Sequence, residues 1–365
     1  MKLPRHPLLY AVCAIAATIG AAPSPAPSPS PSAPTPPAPL GYVCQRASAP
    51  LQIDGRLDDP AWRDAPWTAD FVDIEGDARP RPALRTRAKM LWDDEYLYVG
   101  AEMAEPHLWA TLTRHDAVIF QDHDFEVFID PNGDNHEYYE FEINALGTGW
   151  DLLLPRPYKD GGRAVHDWEI PGLKSAVHLD GTLNDPADTD RGWTVELAFP
   201  WPALAELARR PTPPRDGDQW RVNFSRVEWS LRVAGAHYEK VPGTKENNWV
   251  WSPQGVVNMH RPETWGYVQF STGHPGTASL QPDATLPARR WLHAVYYAQR
   301  AYREGHKRWT RTLDELGVAA PPDAALTRPT LEVTTDLFQA SVDLRLPDGT
   351  TQRWNIRQDA LVWPD

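Results

Sequence analysis

Cysteine is scarce in this chain of 365 residues, which contains only Cys13 and Cys44. Cys13 falls within an apolar N-terminal run, so the rest of the chain has one cysteine and cannot form an internal disulfide. The fold must therefore depend on its hydrophobic core. The length is ample for one large domain or two ordinary ones.

Long apolar runs are lacking after the first 22 residues. Lys2 and Arg5 precede the apolar residues 8–22, a run that is short for a membrane span and typical of a cleavable secretory signal. Residues 23–39 are almost wholly Pro, Ser and Ala, which is typical of an extended, disordered linker. These features predict a secreted or periplasmic protein without stable membrane insertion.

Positive charge is in deficit, because 36 Lys and Arg residues stand against 49 Asp and Glu residues, a formal net charge of −13. This balance argues against a nucleic-acid partner and suits a protein that binds cations. The sequence also lacks zinc-site spacings, the Gly-x-Ser-x-Gly turn, the phosphate and dinucleotide glycine motifs, and Cys-x-x-Cys-His. No enzyme class with such a signature is indicated.

Tryptophan, in contrast, is abundant, with 17 residues. Surplus aromatic rings in a secreted protein are one means of stacking on sugars. We predict that Trp62 and Trp92 belong to the core, and that Trp150, Trp168 and Trp251 are stacking platforms.

Alternation of apolar and polar residues predicts a β-rich body. Residues 88–103 alternate on both sides of Asp93-Asp94-Glu95, which indicates a hairpin. Further strands are predicted at residues 123–130, 137–146, 173–180, 192–199, 218–229 and 265–271, and a short helix at 200–207. Many short strands with one minor helix predict an all-β fold, a jelly-roll-like antiparallel β-sandwich.

The C-terminal part of the sequence has a different pattern. Residues 286–316 have helical spacing with a predicted break at Gly305, and two or three strands are predicted around the Asp348-Gly349 turn. This part is either a small α+β unit or a helix packed on the sandwich. The predicted organisation is a signal peptide (1–22), a linker (23–39), a sandwich (40–272) and a helical plus β-hairpin extension (273–365).

The segment DHDFEVFIDPNGDNHEYYEFEIN, residues 122–144, contains eight Asp or Glu residues within two predicted strands. Strand parity puts Phe125, Val127, Ile129, Tyr139, Phe141 and Ile143 on the core face. With these rows aligned, Glu126 lies opposite Glu142 in one register and opposite Glu140 in the next. Opposed like charges destabilise a strand pair by roughly a few tenths to 1 kcal/mol. A cation, an Arg, a raised pKa or a polyol is expected to offset this.

Several interpretations of the acidic row stay open. We favour a ligand-binding face, because Phe128 and Tyr138 stand among the acids. The others are a solvated surface and a glycosidase pair made of Glu126 and Glu142. The turn offers Asp130, Asn132 and Asp134 as calcium ligands at alternate positions, although an ordinary Asn-Gly turn explains it equally well.

Seven segments together resemble a known family. They are LQIDGRLDDPAW (51–62), MLWDDEYLYVGA (90–101), DFEVFID (124–130), EFEIN (140–144), GWTVELAFPW (192–201), WRVNFSRVEW (220–229), and WVWSP with HRPETWGYVQF (249–253 and 260–270). In this order, over residues 50–271, they resemble the family 9 carbohydrate-binding modules and their secreted bacterial relatives.

The resemblance implies a jelly-roll-like sandwich with structural calcium, which binds sugar ends in a cleft. It also implies that two aromatic rings enclose the sugar while a Glu and an Arg bind its hydroxyl groups. The Glu corresponds to Glu126 and one aromatic residue to Phe120. Two positions depart from the family pattern: Glu142 stands in place of the Arg, and the second aromatic position falls near Met259 and His260.

Further ligand-binding candidates are Asn144, Trp150, Asn223, Arg226 and Trp251. Arg226 departs from the apolar pattern of its strand face, so it either replaces the missing Arg or forms a structural ion pair. Residues 247–260 show no helix or strand period and are typical of a functional loop.

The sequence therefore predicts non-catalytic binding of an oligo- or polysaccharide by a module that assists polysaccharide breakdown. A glycoside hydrolase that uses Glu126 and Glu142 is one alternative. A haem-binding sandwich with Met259 and His260 as ligands is another.

Overall fold

A computed structural model describes residues 38–274, 276–321 and 323–365. The predicted signal peptide and most of the predicted linker lie outside these residues. In the described part, no helix is both long enough and apolar enough to span a membrane.

Strands dominate the region up to residue 271. They are Gly41–Arg46 (β1), Val72–Asp73 (β2), Thr86–Trp92 (β3), Tyr96–Ala104 (β4), Asp124–Asp130 (β5), Tyr138–Asn144 (β6), Gly149–Leu154 (β7), Lys174–Asp180 (β8), Gly192–Pro200 (β9), Gln219–Glu228 (β10), Leu231–Ala234 (β11), His237–Lys240 (β12), Asn247–Val250 (β13) and Gly266–Ser271 (β14). The helices here are Pro60–Asp64 (α1) and Trp201–Ala208 (α2). The predicted strands and the predicted helix are confirmed to within two residues at each end.

One continuous sheet runs in the order β7-β6-β5-β10-β14-β1-β3-β4-β9-β8, and β13 and β2 continue it beside β10. The path curls over itself, so that Phe141 on β6 and Phe199 on β9 meet with ring centroids 6.1 Å apart. Both halves contribute to one apolar core, which includes the predicted core residue Trp92. Trp62, the other predicted core residue, is fully buried in a smaller apolar cluster. The predicted β-sandwich is confirmed.

The prediction of a wholly antiparallel sheet is wrong at one strand. β1 was not predicted, and it pairs in parallel with both β14 and β3. Parallel neighbours need long connections, which this first strand has, since β3 and β14 follow it far along the chain. The expected loop at residues 247–260 also contains a strand, β13, which pairs with β10.

The C-terminal part contains two helices, Leu286–His306 (α3) and Leu313–Leu316 (α4). Its four-stranded antiparallel sheet is formed by Leu326–Val333 (β15), Phe338–Arg345 (β16), Thr351–Arg357 (β17) and Val362–Pro364 (β18). The helical stretch predicted over residues 286–316 is interrupted within one residue of Gly305, because α3 ends at His306, Lys307 has a φ of 57°, and α4 begins only at Leu313.

Side chains of α3 pack on the small sheet and also reach the sandwich. Trp291, Leu292 and Val295 belong to a core shared with β16 and β17. On the other side, Arg300 donates to Asp160 at 2.6 Å. The C-terminal part therefore has its own apolar core, and its helix α3 also contacts the sandwich.

Candidate functional site

The register of β5 and β6 places Glu126 directly opposite Glu142 and Asp124 opposite Asn144. This is the first of the two registers that parity allowed. Phe125, with the other residues of the predicted core row, lies in the main core. The acidic row must therefore point away from that core.

The acidic row is nevertheless buried, so its interpretation as a solvated surface is wrong. Asp124 is 0%, Glu126 5%, Glu140 4% and Glu142 2% exposed. A second apolar cluster covers this face, with residues from β5 to β7 and from distant loops: Ile74, Ala117, Ile119, Phe128, Tyr138, Trp150, Leu152, Leu154, Val250, Met259 and Trp265. The sheet is covered on both faces here.

Asp124, Glu126 and Glu142 form what we call the acidic cluster. Each contributes a carboxylate oxygen, and these oxygens lie within 4.8 Å of one another. Two further contacts fix the cluster, because the Phe120 N–H donates to Glu142 Oε2 at 2.9 Å and the Val227 N–H donates to Asp124 Oδ1 at 3.1 Å.

Burial changes the acidity of this cluster. Loss of hydration raises the pKa of Glu126 to about 7. Burial first, and then repulsion from Glu126, raise the pKa of Asp124, Glu140 and Glu142 well above the usual range. The metal-free cluster therefore holds protons that exposed carboxyl groups would have released.

Three aromatic residues are linked to the cluster, beginning with Phe120, whose backbone N–H donates to Glu142. Phe120 is half-buried, and its carbonyl accepts a hydrogen bond from Trp229 Nε1 at 2.9 Å. Trp229 also holds the Lys240 ammonium 3.4 Å from its ring. Tyr158 is 43% exposed, and burial together with Glu140 and Glu142 raises the pKa of its phenol to about 12. We call Phe120, Tyr158 and Trp229 the aromatic rim.

Sequence reasoning missed Tyr158 and Trp229. Trp229 follows the last residue of β10, where the alternating pattern ends. The residues beside it in the sequence do not predict its contact with Phe120. Tyr158 lies in a turn without strand or helix period. Only the folded chain places it near the carboxylates of β6.

His260, at the second predicted aromatic position, lies beside this rim. Its ring centroid is 4.4 Å from that of Tyr158, and its Nδ1 lies 2.9 Å from the Tyr138 hydroxyl. Burial lowers the pKa of His260 to about 3, so the ring is neutral. Its neighbour Met259 packs in the second apolar cluster. The haem alternative gains no support from these contacts.

Arg226 does not approach the acidic cluster. It points to the opposite face of β10, where its guanidinium donates to Glu105 at 2.6 Å and to Glu228 at 2.8 Å. His123 lies 3.4 Å from Glu105 in the same group. The structure therefore favours the ion-pair interpretation of Arg226, and we call these four residues the paired cluster.

The remaining predicted ligand residues are dispersed. Asn144 donates to Asp122 at 3.0 Å and to the Leu112 carbonyl at 2.9 Å, so it holds a covering loop in place. Asn223 exchanges two hydrogen bonds with the Ser252 backbone.

Trp150 and Trp251, two of the three predicted stacking platforms, are buried and cannot present a ring face to a sugar. Trp251 is buried in the main core, so its prediction as a platform is wrong. Trp150 is buried opposite Glu142 and stacks on His166 at 5.5 Å. Trp168 is half-buried and stacks on Tyr139 at 5.1 Å.

The turn predicted to bind calcium is internally hydrogen-bonded. Asp130 accepts from the N–H groups of Gly133 and Asn135, and Asp134 accepts from the His136 N–H and the Asn132 amide. Asn132 Oδ1 in turn accepts from the Asp134 N–H. Each side-chain oxygen thus already has one donor, as an ordinary Asx turn requires. Calcium binding at this turn stays a prediction.

The pair Glu126 and Glu142 also has consequences for the glycosidase interpretation. The two carboxylates are cross-strand neighbours on one buried face. A hydrolase needs its two acids on opposite sides of a glycosidic bond. Their placement side by side on one strand pair gives the glycosidase alternative no direct support.

Known proteins resemble this chain in its sandwich region. Residues 53–269 match the family model described as "Carbohydrate family 9 binding domain-like". The chain is 31% identical over 155 residues to exoglucanase XynX of Acetivibrio thermocellus, and 30% identical over 152 residues to endo-1,4-beta-xylanase A of Thermoanaerobacterium saccharolyticum. Each match covers 42% of this chain but only 12% and 11% of the relative.

Two similar solved structures are a putative carbohydrate-binding protein from Bacteroides uniformis and a carbohydrate binding module family 9 from Caldicellulosiruptor kristjanssonii in complex with cellotriose. The first has a TM-score of 0.46 and 16% identity, and covers 64% of this chain and 100% of that one. The second has a TM-score of 0.42 and 16% identity, and covers 66% and 99%. The family match spans more than half of the sequence, and the chain belongs to the carbohydrate family 9 binding domain-like family.

Proposed function

We propose that this protein binds a carbohydrate, without catalysis of its own, at the aromatic rim above the acidic cluster. The observation that carries the proposal is the convergence of Phe120 and Glu126, at the family's positions, with two aromatic residues that sequence reasoning missed. Family membership over residues 53–269 supports the same function.

The chemistry of the site suits a polyol. Aromatic faces pack against the apolar faces of sugar rings, and carboxylates accept hydrogen bonds from hydroxyl groups. Because Glu142 replaces an Arg, the floor of the site accepts hydrogen bonds and has lost a strong donor. The ligand should therefore present several hydroxyl donors towards Glu126 and Glu142.

We further propose that the protein is secreted and assists polysaccharide breakdown. The apolar N-terminal run and the Pro-rich segment motivate the first part, and the similarity to an exoglucanase and a xylanase motivates the second.

The proposal is tested by titrating the full chain with mono- and oligosaccharides while tryptophan fluorescence is recorded. We expect a saturable change, because Trp229 lies in the rim. Phe120→Ala and Tyr158→Ala should each weaken binding about tenfold, the loss of roughly 1.4 kcal/mol of ring contact. Tyr302→Ala is the matched control, since Tyr302 is half-buried on α3 and stacks on His306.

Three results would contradict the proposal. No response across a broad glycan panel would contradict carbohydrate binding itself. Binding that Phe120→Ala and Tyr158→Ala leave unchanged would move it to another surface. Release of reducing sugar that Glu126→Gln abolishes would contradict the non-catalytic part.

A further inference from the structure

The acidic cluster has no positive partner of its own. Among the residues that the structure describes, no Arg, Lys or His forms an ion pair with Asp124, Glu126 or Glu142. Arg226, the nearest cation along β10, belongs to the paired cluster on the other face. Burying several carboxylates without compensation costs several kcal/mol for each ion. The cluster therefore requires either shared protons or a bound cation.

Several polar atoms in the cluster lack partners. Asp124 Oδ2 and Glu140 Oε2 are buried, and no hydrogen bond reaches either of them in the described part of the chain. Ser225 is fully buried on β10 directly opposite Glu126. Its hydroxyl is buried and has no hydrogen-bond partner in the described part of the chain. Buried polar groups without partners are uncommon in native proteins and point to a missing ligand.

The spacing of the cluster suits one ion. Oxygens bound to a common Ca²⁺ at about 2.3–2.6 Å can lie no more than about 5 Å apart. The carboxylate oxygens of Asp124, Glu126 and Glu142 satisfy this limit, since they lie within 4.8 Å of one another. All the donors are oxygen atoms, which favours a hard divalent cation over zinc or copper.

We propose that Asp124, Glu126 and Glu142, with the Ser225 hydroxyl, bind a hard divalent cation, calcium in the first instance. This site differs from the Asp130–Asp134 turn, whose oxygens already accept hydrogen bonds. The cation supplies the positive charge that this face lacks, since Glu142 is acidic and Arg226 is buried on the opposite face of β10. Binding of the ion does not depend on binding of a sugar.

The test is terbium luminescence of the full chain after removal of metal with EDTA and exchange into chelator-free buffer. Tb³⁺ replaces Ca²⁺ at oxygen sites, and Trp150, paired with Glu142 across β6 and β7, is placed to sensitise it. We expect saturable luminescence that excess Ca²⁺ displaces. Asp124→Asn and Glu142→Gln should each weaken Tb³⁺ binding about 100-fold, because ligand charge sets affinity at such sites. Ser225→Ala should weaken it less.

The control variant is Asp134→Asn, which alters the turn and leaves the acidic cluster intact. It should bind Tb³⁺ as the wild type does. Calcium in about 100-fold excess over its Kd should also raise the melting temperature of the wild type by about 5 °C, but not that of Glu142→Gln. The melting curve of Glu142→Gln in EDTA shows independently that the variant folds.

Two outcomes would overturn this inference. Absence of both luminescence and a calcium-dependent melting shift in the wild type would mean that the carboxylates share protons. Luminescence that Asp134→Asn abolishes and Glu142→Gln preserves would place the ion in the turn. Neither result depends on sugar binding, so the inference and the proposed function can fail separately.

Discussion

Two buried groups of carboxylates lie on opposite faces of β10, and their surroundings differ. Ser225 and Arg226 are consecutive, so their side chains point in opposite directions. On one side, Arg226 is fully buried and pairs with Glu105 and Glu228. On the other side, Ser225 faces Glu126 and brings no charge. At these two consecutive positions, the strand thus supplies a counterion to one face and none to the other.

The paired cluster also contains a second potential cation. Although burial opposes the charged ring, Glu228 and Glu105 together raise the pKa of His123. The two carboxylates therefore have Arg226 as a positive partner, and they favour the protonated form of His123. The acidic cluster reaches balance only with protons or an ion from solution. We conclude that one group is complete in the folded chain, while the other is built to receive a ligand.

The largest expected effect comes from breaking the paired cluster. Arg226→Met leaves Glu105 and Glu228 buried without their main partner, which should lower the free energy of unfolding by about 3–5 kcal/mol. Urea unfolding followed by circular dichroism measures this loss. Arg232→Met is the control, because Arg232 pairs with Glu239 at the surface and should cost at most about 1 kcal/mol. Equal losses for the two variants would refute the distinction.

The next effect is the pH dependence of the metal-free protein. The pKa of Glu126 is raised to about 7 in the folded chain, so that chain binds a proton which the unfolded chain releases near pH 4.5. Its contribution to stability is present at low pH and is lost as the pH rises to about 7. The difference in unfolding free energy between wild type and Glu126→Gln should fall across this window, by at most about 1.4 kcal/mol per pH unit.

The control for this pH profile is Glu332→Gln, since Glu332 is exposed on β15. Its profile should run parallel to that of the wild type. A flat difference between wild type and Glu126→Gln in EDTA would show that Glu126 is ionised throughout. That result would require a positive partner that comes from the protein itself.

A smaller effect, opposite in sign to that of Arg226→Met, is expected for Glu142→Gln in EDTA. The substitution removes the cost of either protonating Glu142 or opposing its charge to Glu126, and it keeps an oxygen to accept from the Phe120 N–H. It should raise the free energy of unfolding by up to about 1 kcal/mol. In calcium the sign should reverse, because the variant loses an ion ligand. Destabilisation in both conditions would mean that Glu142 acts as a packing residue.

The smallest effect is expected in the turn. Asp134→Asn retains an oxygen that can accept from the His136 N–H, so it should change the unfolding free energy by less than about 0.5 kcal/mol. Calcium should stabilise this variant as much as it does the wild type. A lost calcium response would instead support the ion site that the sequence predicted in this turn.

Strand parity predicted the core row, because the side-chain period of a strand is local. It also limited the pairing of β5 with β6 to two registers, and the structure shows one of these. It could not predict that the other face is also covered. That cover comes from residues such as Ile119, Met259 and Trp265, which are far apart in the sequence. From the sequence alone, a strand face with many acidic and few apolar residues is predicted to be exposed or to face a ligand. The covering residues are known only from the folded chain.

The candidate site was predictable at its centre and not at its edge. Glu126 and Glu142 follow from alternation and from the family motifs, whereas Tyr158 lies in a turn without a period. Arg226 was noticed because it breaks an apolar pattern, but its partner Glu105 lies in a loop beyond β4. Ion pairs between residues far apart in the sequence depend on tertiary packing. The apolar and polar pattern of a single strand carries no information about that packing.

The most direct test of the difference between the two clusters is a crystal structure of the full chain grown with Tb³⁺, with anomalous diffraction used to locate the ion. The account predicts an anomalous peak bordered by Asp124, Glu126 and Glu142, with oxygen ligands at about 2.3–2.6 Å. It predicts no peak beside Arg226. A peak confined to the Asp130–Asp134 turn, or no peak at the acidic cluster, would contradict it.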